Sequence, residues 1–164
     1  MAALDWQIRD FTPRDAPAFA SLNRAWIEEM FGMEDKDRRQ LEHPVKTIIE
    51  PGGYIAVADA KGWVVGTGAV LPAAFAPDDG NTWMEIVKMA TEPSAQGQGI
   101  GAAVLDRLVD VARDRGANRI WLETNSQLEA ATALYEKKGF VALSDAENWD
   151  TPYLRCNLQM AMEL

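Results

Sequence analysis

The run Gln96-Gly97-Gln98-Gly99-Ile100-Gly101 places three glycines at alternate positions directly ahead of an amphipathic helical pattern from about Ala102 to Arg115. Glycine allows tight turns and close backbone approach, and the helix behind it leaves unpaired N–H groups pointing forward. Together they predict a cradle for an anion of diphosphate size, unless the glycines are merely a flexible turn. Gly97, Gly99 and Ala102 also satisfy the loose G-x-G-x-x-G/A spacing of dinucleotide-binding domains, and Glu123 ends a later strand pattern where such a domain carries its ribose-binding acid. The context argues against that fold. Its glycines follow the first parallel strand almost directly, whereas Glu92-Pro93-Ser94-Ala95-Gln96 intervenes here, and too little chain remains for a second nucleotide unit beside a substrate domain. A Walker A loop is excluded because no Gly-Lys-Ser/Thr follows.

Other residues with reactive chemistry are few. His43 is the only histidine, between Glu42 and Pro44, and reads more readily as a helix-end residue than as an acid–base group. Cys156 stands alone, which excludes an intrachain disulfide framework and a zinc–cysteine cluster and suits a reduced, cytoplasmic setting. It reads as a small core or strand residue, with no sequence cue for an activating histidine. No metal site is expected. A formal charge of −9 without a basic patch or tail argues against general nucleic-acid binding. No apolar run approaches the ~20 residues that a membrane-spanning helix needs, and no signal pattern opens the chain.

The 164 residues suit one domain, 1–164, with no repeat or linker to divide them. A strand is expected over Asp5 to Asp10. A helix follows, begun by Thr12-Pro13 and striped by Phe19, Leu22, Trp26, Ile27 and Met30. Glu34 to Ile49 is weakly helical and liable to break near Pro44. Tyr54–Ala58 and Trp63–Val70 read as a hairpin, and Thr82 to Thr91 as a third strand, together an antiparallel meander. Trp63 and Trp83 are expected to pack on the sheet. The pattern then alternates: helix 99–115, strand Arg119–Thr124, helix Leu128–Lys138, strand Phe140–Leu143, and a last strand over Tyr153–Met162. The predicted fold is α/β: a mixed sheet, antiparallel in its first half and more parallel in its second, flanked by helices.

The stretch Val87-Lys88-Met89-Ala90-Thr91-Glu92-Pro93-Ser94-Ala95-Gln96-Gly97-Gln98-Gly99-Ile100-Gly101 resembles motif A of the GNAT family, the acyl-CoA-dependent N-acetyltransferases. The family pattern Gln/Arg-x-x-Gly-x-Gly/Ala falls on Gln96, Gly99 and Gly101. A second block, Ala131-x-x-x-Tyr135-Glu136-Lys137-Lys138-Gly139-Phe140, is similar to the family's later helix and strand, in the family order and at the family distance. The order of elements agrees along nearly the whole chain.

The resemblance implies acetyl-CoA as cofactor, lying between two splayed strands, and transfer of its acetyl group to an amine without a covalent acyl-enzyme. The backbone of Met89, Ala90 and Thr91 would pair with the pantetheine arm. Gln96 would frame the turn, and backbone N–H groups of Gly97, Gln98, Gly99, Ile100, Gly101 and Ala102 would hold the pyrophosphate. Ala131 would leave the cofactor room. Tyr135 resembles the family's general acid, serving the departing thiolate with a phenol of pKa about 10; its other reading is an aromatic packed on the sheet. The family often carries Asn seven residues before this tyrosine, where this chain has Leu128. Asn125 either takes over part of that contact or caps the turn. Glu85 is the candidate base, with a substrate-ammonium anchor or a plain strand carboxylate as its other readings. Period-two alternation groups it with Val87, Met89 and Thr91, unless a bulge at the splay shifts the register. Trp26, Glu28, Glu29, Met30, Phe31 and Met33 fall where relatives shape the acceptor pocket. An aromatic wall with carboxylates there would suit a cationic amine, whereas their periodicity also fits a core stripe with a solvated acidic face. A non-catalytic acyl-CoA-binding or regulatory module is the alternative function, the acceptor is open between a small molecule and a peptide, and a homodimer is possible.

Overall fold

Alternating side chains along the strands feed two separate cores, one on each face of the sheet. On β2 (Tyr54–Ala60), Ala56 and Ala58 join the larger core while Ile55 joins the smaller. The computed structural model describes residues 3–164. β1 (Gln7–Asp10), β2, β3 (Trp63–Pro72) and β4 (Trp83–Thr91) pair in chain order as an antiparallel meander. β5 (Arg119–Thr124) then joins β4 in parallel. The last strand, β7 (Leu158–Glu163), inserts antiparallel between β5 and the short β6 (Val141–Ala142). The mixed sheet therefore runs β1-β2-β3-β4-β5-β7-β6. β5 and β6 point the same way, as the alternating second half predicts, but with β7 between them.

Helix α3 (Ile100–Asp114) buries Val104, Leu105 and Leu108 against Ile86, Ile120 and Leu122 of the sheet. Tyr135 of α4 (Glu129–Lys138) and Phe140 close the end of this core. On the other face α1 (Ala16–Met30) contributes Phe19, and α2 (Asp35–Glu42) contributes Leu41, to a core with Ile55, Ala69 and Leu71. α2 stops at His43, whose φ of −134° and ψ of 59° lie outside the helix; the following Pro44 disfavours a helical conformation there. A single π-helical turn, Val45–Ile49, carries the chain into β2.

Three expectations shift. The first strand begins at Gln7 rather than Asp5. The segment 153–157 is not strand: the Glu34 carboxylate accepts hydrogen bonds from the N–H groups of Leu154 and Arg155, at 3.1 and 3.4 Å, and replaces a ladder partner. Trp63 does not pack on the sheet; it opens β3 at 77% exposure, while Trp83 meets Trp149 edge to face at 4.9 Å.

Candidate active site

β4 and β5 are paired only from Trp83 to Glu85 and from Arg119 to Trp121; beyond that they diverge, and β5 keeps a partner only on its far side, in β7. A cavity of about 1220 Å³ occupies the gap, bordered by the N-terminus of α3, by α4, by α1 and by the 153–156 segment. Next to the gap β4 carries a bulge. Thr67 faces Ala90 and Ala69 faces Val87, so Lys88 and Met89 together oppose Gly68. Lys88 takes a φ of +56°, a conformation that costs a non-glycine residue about 1–2 kcal/mol. The bulge overturns the simple alternation: Val87 packs on the α1–α2 side, and Lys88 reaches α2, while Met89 joins the α3 core and Thr91 Oγ1 faces Gly101.

At one end of the cavity stands the glycine turn. Gly99 is the N-cap of α3 with φ +80°, and Gly97 has φ +81°. A Cβ at either would meet nothing within 4 Å, so conformation rather than space requires glycine there. Gly101 is different: its Cβ would lie 3.5 Å from Leu134 Cδ2, an ordinary contact, inside the space between α3 and α4. No side chain caps α3 and its first turn holds no acid, which leaves its leading N–H groups free for an anion. Free donors beside an open glycine cradle fit the pyrophosphate of acetyl-CoA. Met89, Ala90, Thr91, Gln96, Gly97, Gly99, Ile100, Gly101, Ala102, Asn125, Ala131 and Tyr135 all border the cavity. Gln98 does not; its Oε1 accepts a 2.7 Å hydrogen bond from the Leu4 N–H. The Asn125 side chain is committed locally, donating to the Arg155 carbonyl at 2.6 Å and accepting from the Gln127 N–H at 2.9 Å, while Leu128 lines the wall. That is turn chemistry.

Tyr135 lines the cavity, 7% exposed, with its ring edge-on to Phe140 at 5.9 Å. Among the described residues its hydroxyl has no hydrogen-bond partner. Burial pushes its pKa up to about 12, so the phenol keeps its proton at neutral pH. Across the splay, on the α1–α2 side, Glu85 is 2% exposed and burial raises its pKa, opposed by Lys36, whose Nζ is 3.7 Å from Oε1.

Sequence reasoning missed much of this end of the β4–β5 gap. Glu123 follows Trp121 by two residues on β5 and borders the same cavity; Thr151 donates to its Oε2 at 2.7 Å, Oε1 is buried without a partner, and burial raises its pKa. Asp37, fully buried, receives hydrogen bonds from Lys88 and Arg155 while reaching back to the Glu34 N–H at 3.0 Å. Burial works against its charge, yet Arg155 and Lys88 hold its pKa at about 2. Tyr153 supplies the shared surface: Lys36, Lys88 and Arg155 stand 4.8, 5.3 and 4.5 Å from its ring centroid. The odd placement of Lys88 in a strand was the only local signal for this cluster. Its partners come from residues 34–37 and 153–155, far apart in the chain. The remaining candidates recede: His43 is exposed and borders no part of the cavity, and burial raises the Cys156 thiol to about 12, which leaves it unreactive. Among the described residues no group of three or more potential ligands could hold a metal, and no helix is long and apolar enough to cross a membrane.

Comparison with known proteins agrees with this geometry. The model of the acetyltransferase (GNAT) family matches residues 4–140. An uncharacterized N-acetyltransferase of Escherichia coli K12, YjgM, is 30% identical over 161 residues, covering 96% of this chain and 94% of that protein. Among solved structures, a GNAT-family acetyltransferase of Staphylococcus aureus Mu50 superposes with a TM-score of 0.82 at 16% identity, over 96% of this chain and 98% of the other. YncA of Salmonella typhimurium, a putative acetyltransferase solved with acetyl-CoA, superposes with a TM-score of 0.75 at 22% identity, over 96% and 93%. With an open glycine cradle at the head of α3, a splayed β4–β5 pair and a family match over most of its length, the chain belongs to the GNAT family of acetyltransferases, enzymes that use acetyl-CoA.

Proposed function

We propose that residues 1–164 act as one domain that transfers the acetyl group of acetyl-CoA to a primary amine of a small molecule or peptide, directly and in a ternary complex. One observation carries the reading: a single cavity joins the glycine cradle, Tyr135 and Glu85 through the gap between β4 and β5. Acetyl-CoA supplies the activated acetyl group as a thioester. Backbone N–H groups from Gly97 to Ala102 hold the pyrophosphate, and the unpaired edge of Met89-Ala90-Thr91 binds the pantetheine arm as an added strand would. Ala131 leaves room on the α4 side.

An amine must shed a proton before it can attack. In this reading Glu85, directly or through a water, accepts it, which is supported by its burial: a carboxylate raised by burial takes a proton more readily than an exposed one. Glu123 offers a second carboxylate at the same end. Tyr135 holds a proton at the cavity wall, and a departing thiolate needs one. The test is thiol release from acetyl-CoA across a panel of amines, amino acids, aminoglycosides and peptides, with a no-acceptor control and the mass of the product. Acceptor-dependent release with one added acetyl group is expected; a flat panel despite acetyl-CoA binding would sink the reading.

A further inference from the structure

The apolar face of α1 is split in two. Phe19 and Ile27 are buried at 1% and 0% exposure. Leu22, Trp26 and Met30, spaced by four on the next stripe, belong to neither core and line the cavity instead, with Phe31 set edge to face against Trp26 at 6.4 Å. Met30 is 43% exposed. This wall is large, apolar and aromatic, and the protein itself leaves it uncovered on the cavity side.

The polar floor below it has a definite charge balance. Lys88 and Arg155 border the cavity, but both are already neutralised: Asp37 takes hydrogen bonds from the two of them, and Glu34 pairs with Arg155 at 3.4 Å. Among the described residues Glu85 has one ion-pair partner, Lys36 at 3.7 Å, whose Nζ is buried without a hydrogen-bond partner; Glu123 has no ion pair, and its Oε1 is likewise unpartnered. With both carboxylates ionised, the charge left uncompensated at the floor is negative. A cation completes it, whereas a carboxylate on the ligand would find both lining cations, Lys88 and Arg155, already paired with Asp37 and Glu34.

We infer that the acceptor is a small monoamine with an apolar, aromatic-sized body and no acidic group, its amine at Glu85 and Glu123 and its body against Leu22, Trp26, Met30 and Phe31. This rests on the acetyl-transfer reading above and narrows its substrate class. Polyamines and aminoglycosides would strand further charges or hydroxyls against Leu22, Trp26, Met30 and Phe31, where Glu29 is the single carboxylate that α1 brings to the cavity, and amino acids would bring an unpaired carboxylate to the floor.

Matched probes separate the two claims. The full-length protein is assayed for thiol release with 2-phenylethylamine, phenylalanine, ethanolamine and spermidine, and calorimetry measures binding of each amine with no acetyl-CoA present. Phenylethylamine is expected to exceed each of the others by ~10-fold or more in kcat/KM, the scale on which pockets discriminate apolar groups, and to bind alone. Trp26→Ala should remove most of that preference while the dissociation constant of acetyl-CoA stays unchanged. Equal or better turnover of phenylalanine, ethanolamine or spermidine would overturn the inference and leave acetyl transfer standing. Phenylethylamine that neither binds nor releases thiol would also overturn it, and silence with every amine despite acetyl-CoA binding would remove the underlying reading as well.

Discussion

The proposed reaction assigns Tyr135 and Glu85 opposite ends of one proton problem, and their surroundings push both pKa values upward. For Tyr135, the proposed donor, that shift keeps the proton in place at neutral pH. The hydroxyl makes no hydrogen bond to another described residue, so Tyr135→Phe should fold normally, bind acetyl-CoA as before and lose about 10²-fold in kcat; an undiminished kcat would reduce Tyr135 to a packing residue. For Glu85 the sign runs the other way. A base must be unprotonated to act, and a raised pKa delays that to higher pH. The acid limb of kcat/KM should therefore lie above the ordinary glutamate value of about 4.3, and Glu85→Gln should flatten it. A limb that persists in Glu85→Gln at full rate would hand the role to Glu123.

At the scale of elements, the turn before α3 and the bulge in β4 divide the labour of the site. The glycines of the turn are not equivalent. Gly99→Ala forces a side chain into φ +80° and should cost about 1 kcal/mol in urea unfolding. Gly101→Ala adds a methyl at an ordinary contact distance within a helix, so stability should hold or rise, while acetyl-CoA affinity falls by ~10-fold or more, equivalent to about 1.4 kcal/mol. On the other side, Asp37 ties α2 to the bulge through Lys88 and to the 153–156 segment through Arg155. Asp37→Asn leaves the buried Lys88 without its counter-charge and the half-buried Arg155 with Glu34 alone, and should cost roughly 3–5 kcal/mol. Because its folded pKa is held at about 2, that contribution should be complete above about pH 4 and fade as pH falls from there towards 2.

Over the whole molecule, the field opposes the cofactor. The chain carries −9, and the cavity near the glycine turn is bordered by Glu92 and Glu129, while its lining cations, Lys88 and Arg155, are bound to carboxylates on the acceptor side. Local backbone donors must therefore win against long-range repulsion. The association rate of acetyl-CoA, measured by stopped flow, should rise as salt goes from about 10 to about 200 mM, since screening weakens repulsion between like charges. A falling rate would mean that an unrecognised basic patch steers the cofactor.

What could be read along the chain was whatever depends on neighbours in sequence. The glycine spacing ahead of α3, the meander followed by alternating helices and strands, and the block around Tyr135 all rest on local backbone preference and periodicity, and they carried the family and the cofactor. Residues that act through partners distant in the chain were hidden. Lys88 is an ordinary strand residue until a bulge turns it towards Asp37, 51 positions earlier, and Arg155 belonged to an expected strand until the Glu34 carboxylate captured its backbone. Glu123 resembled a strand-end acid until burial left one of its oxygens without a partner. Leu22, Trp26 and Met30 matched a core stripe because helical spacing marks an apolar face without saying what covers it. Only the tertiary structure decided that this face borders a cavity, because burial and charge pairing are properties of elements brought together, not of the segments themselves.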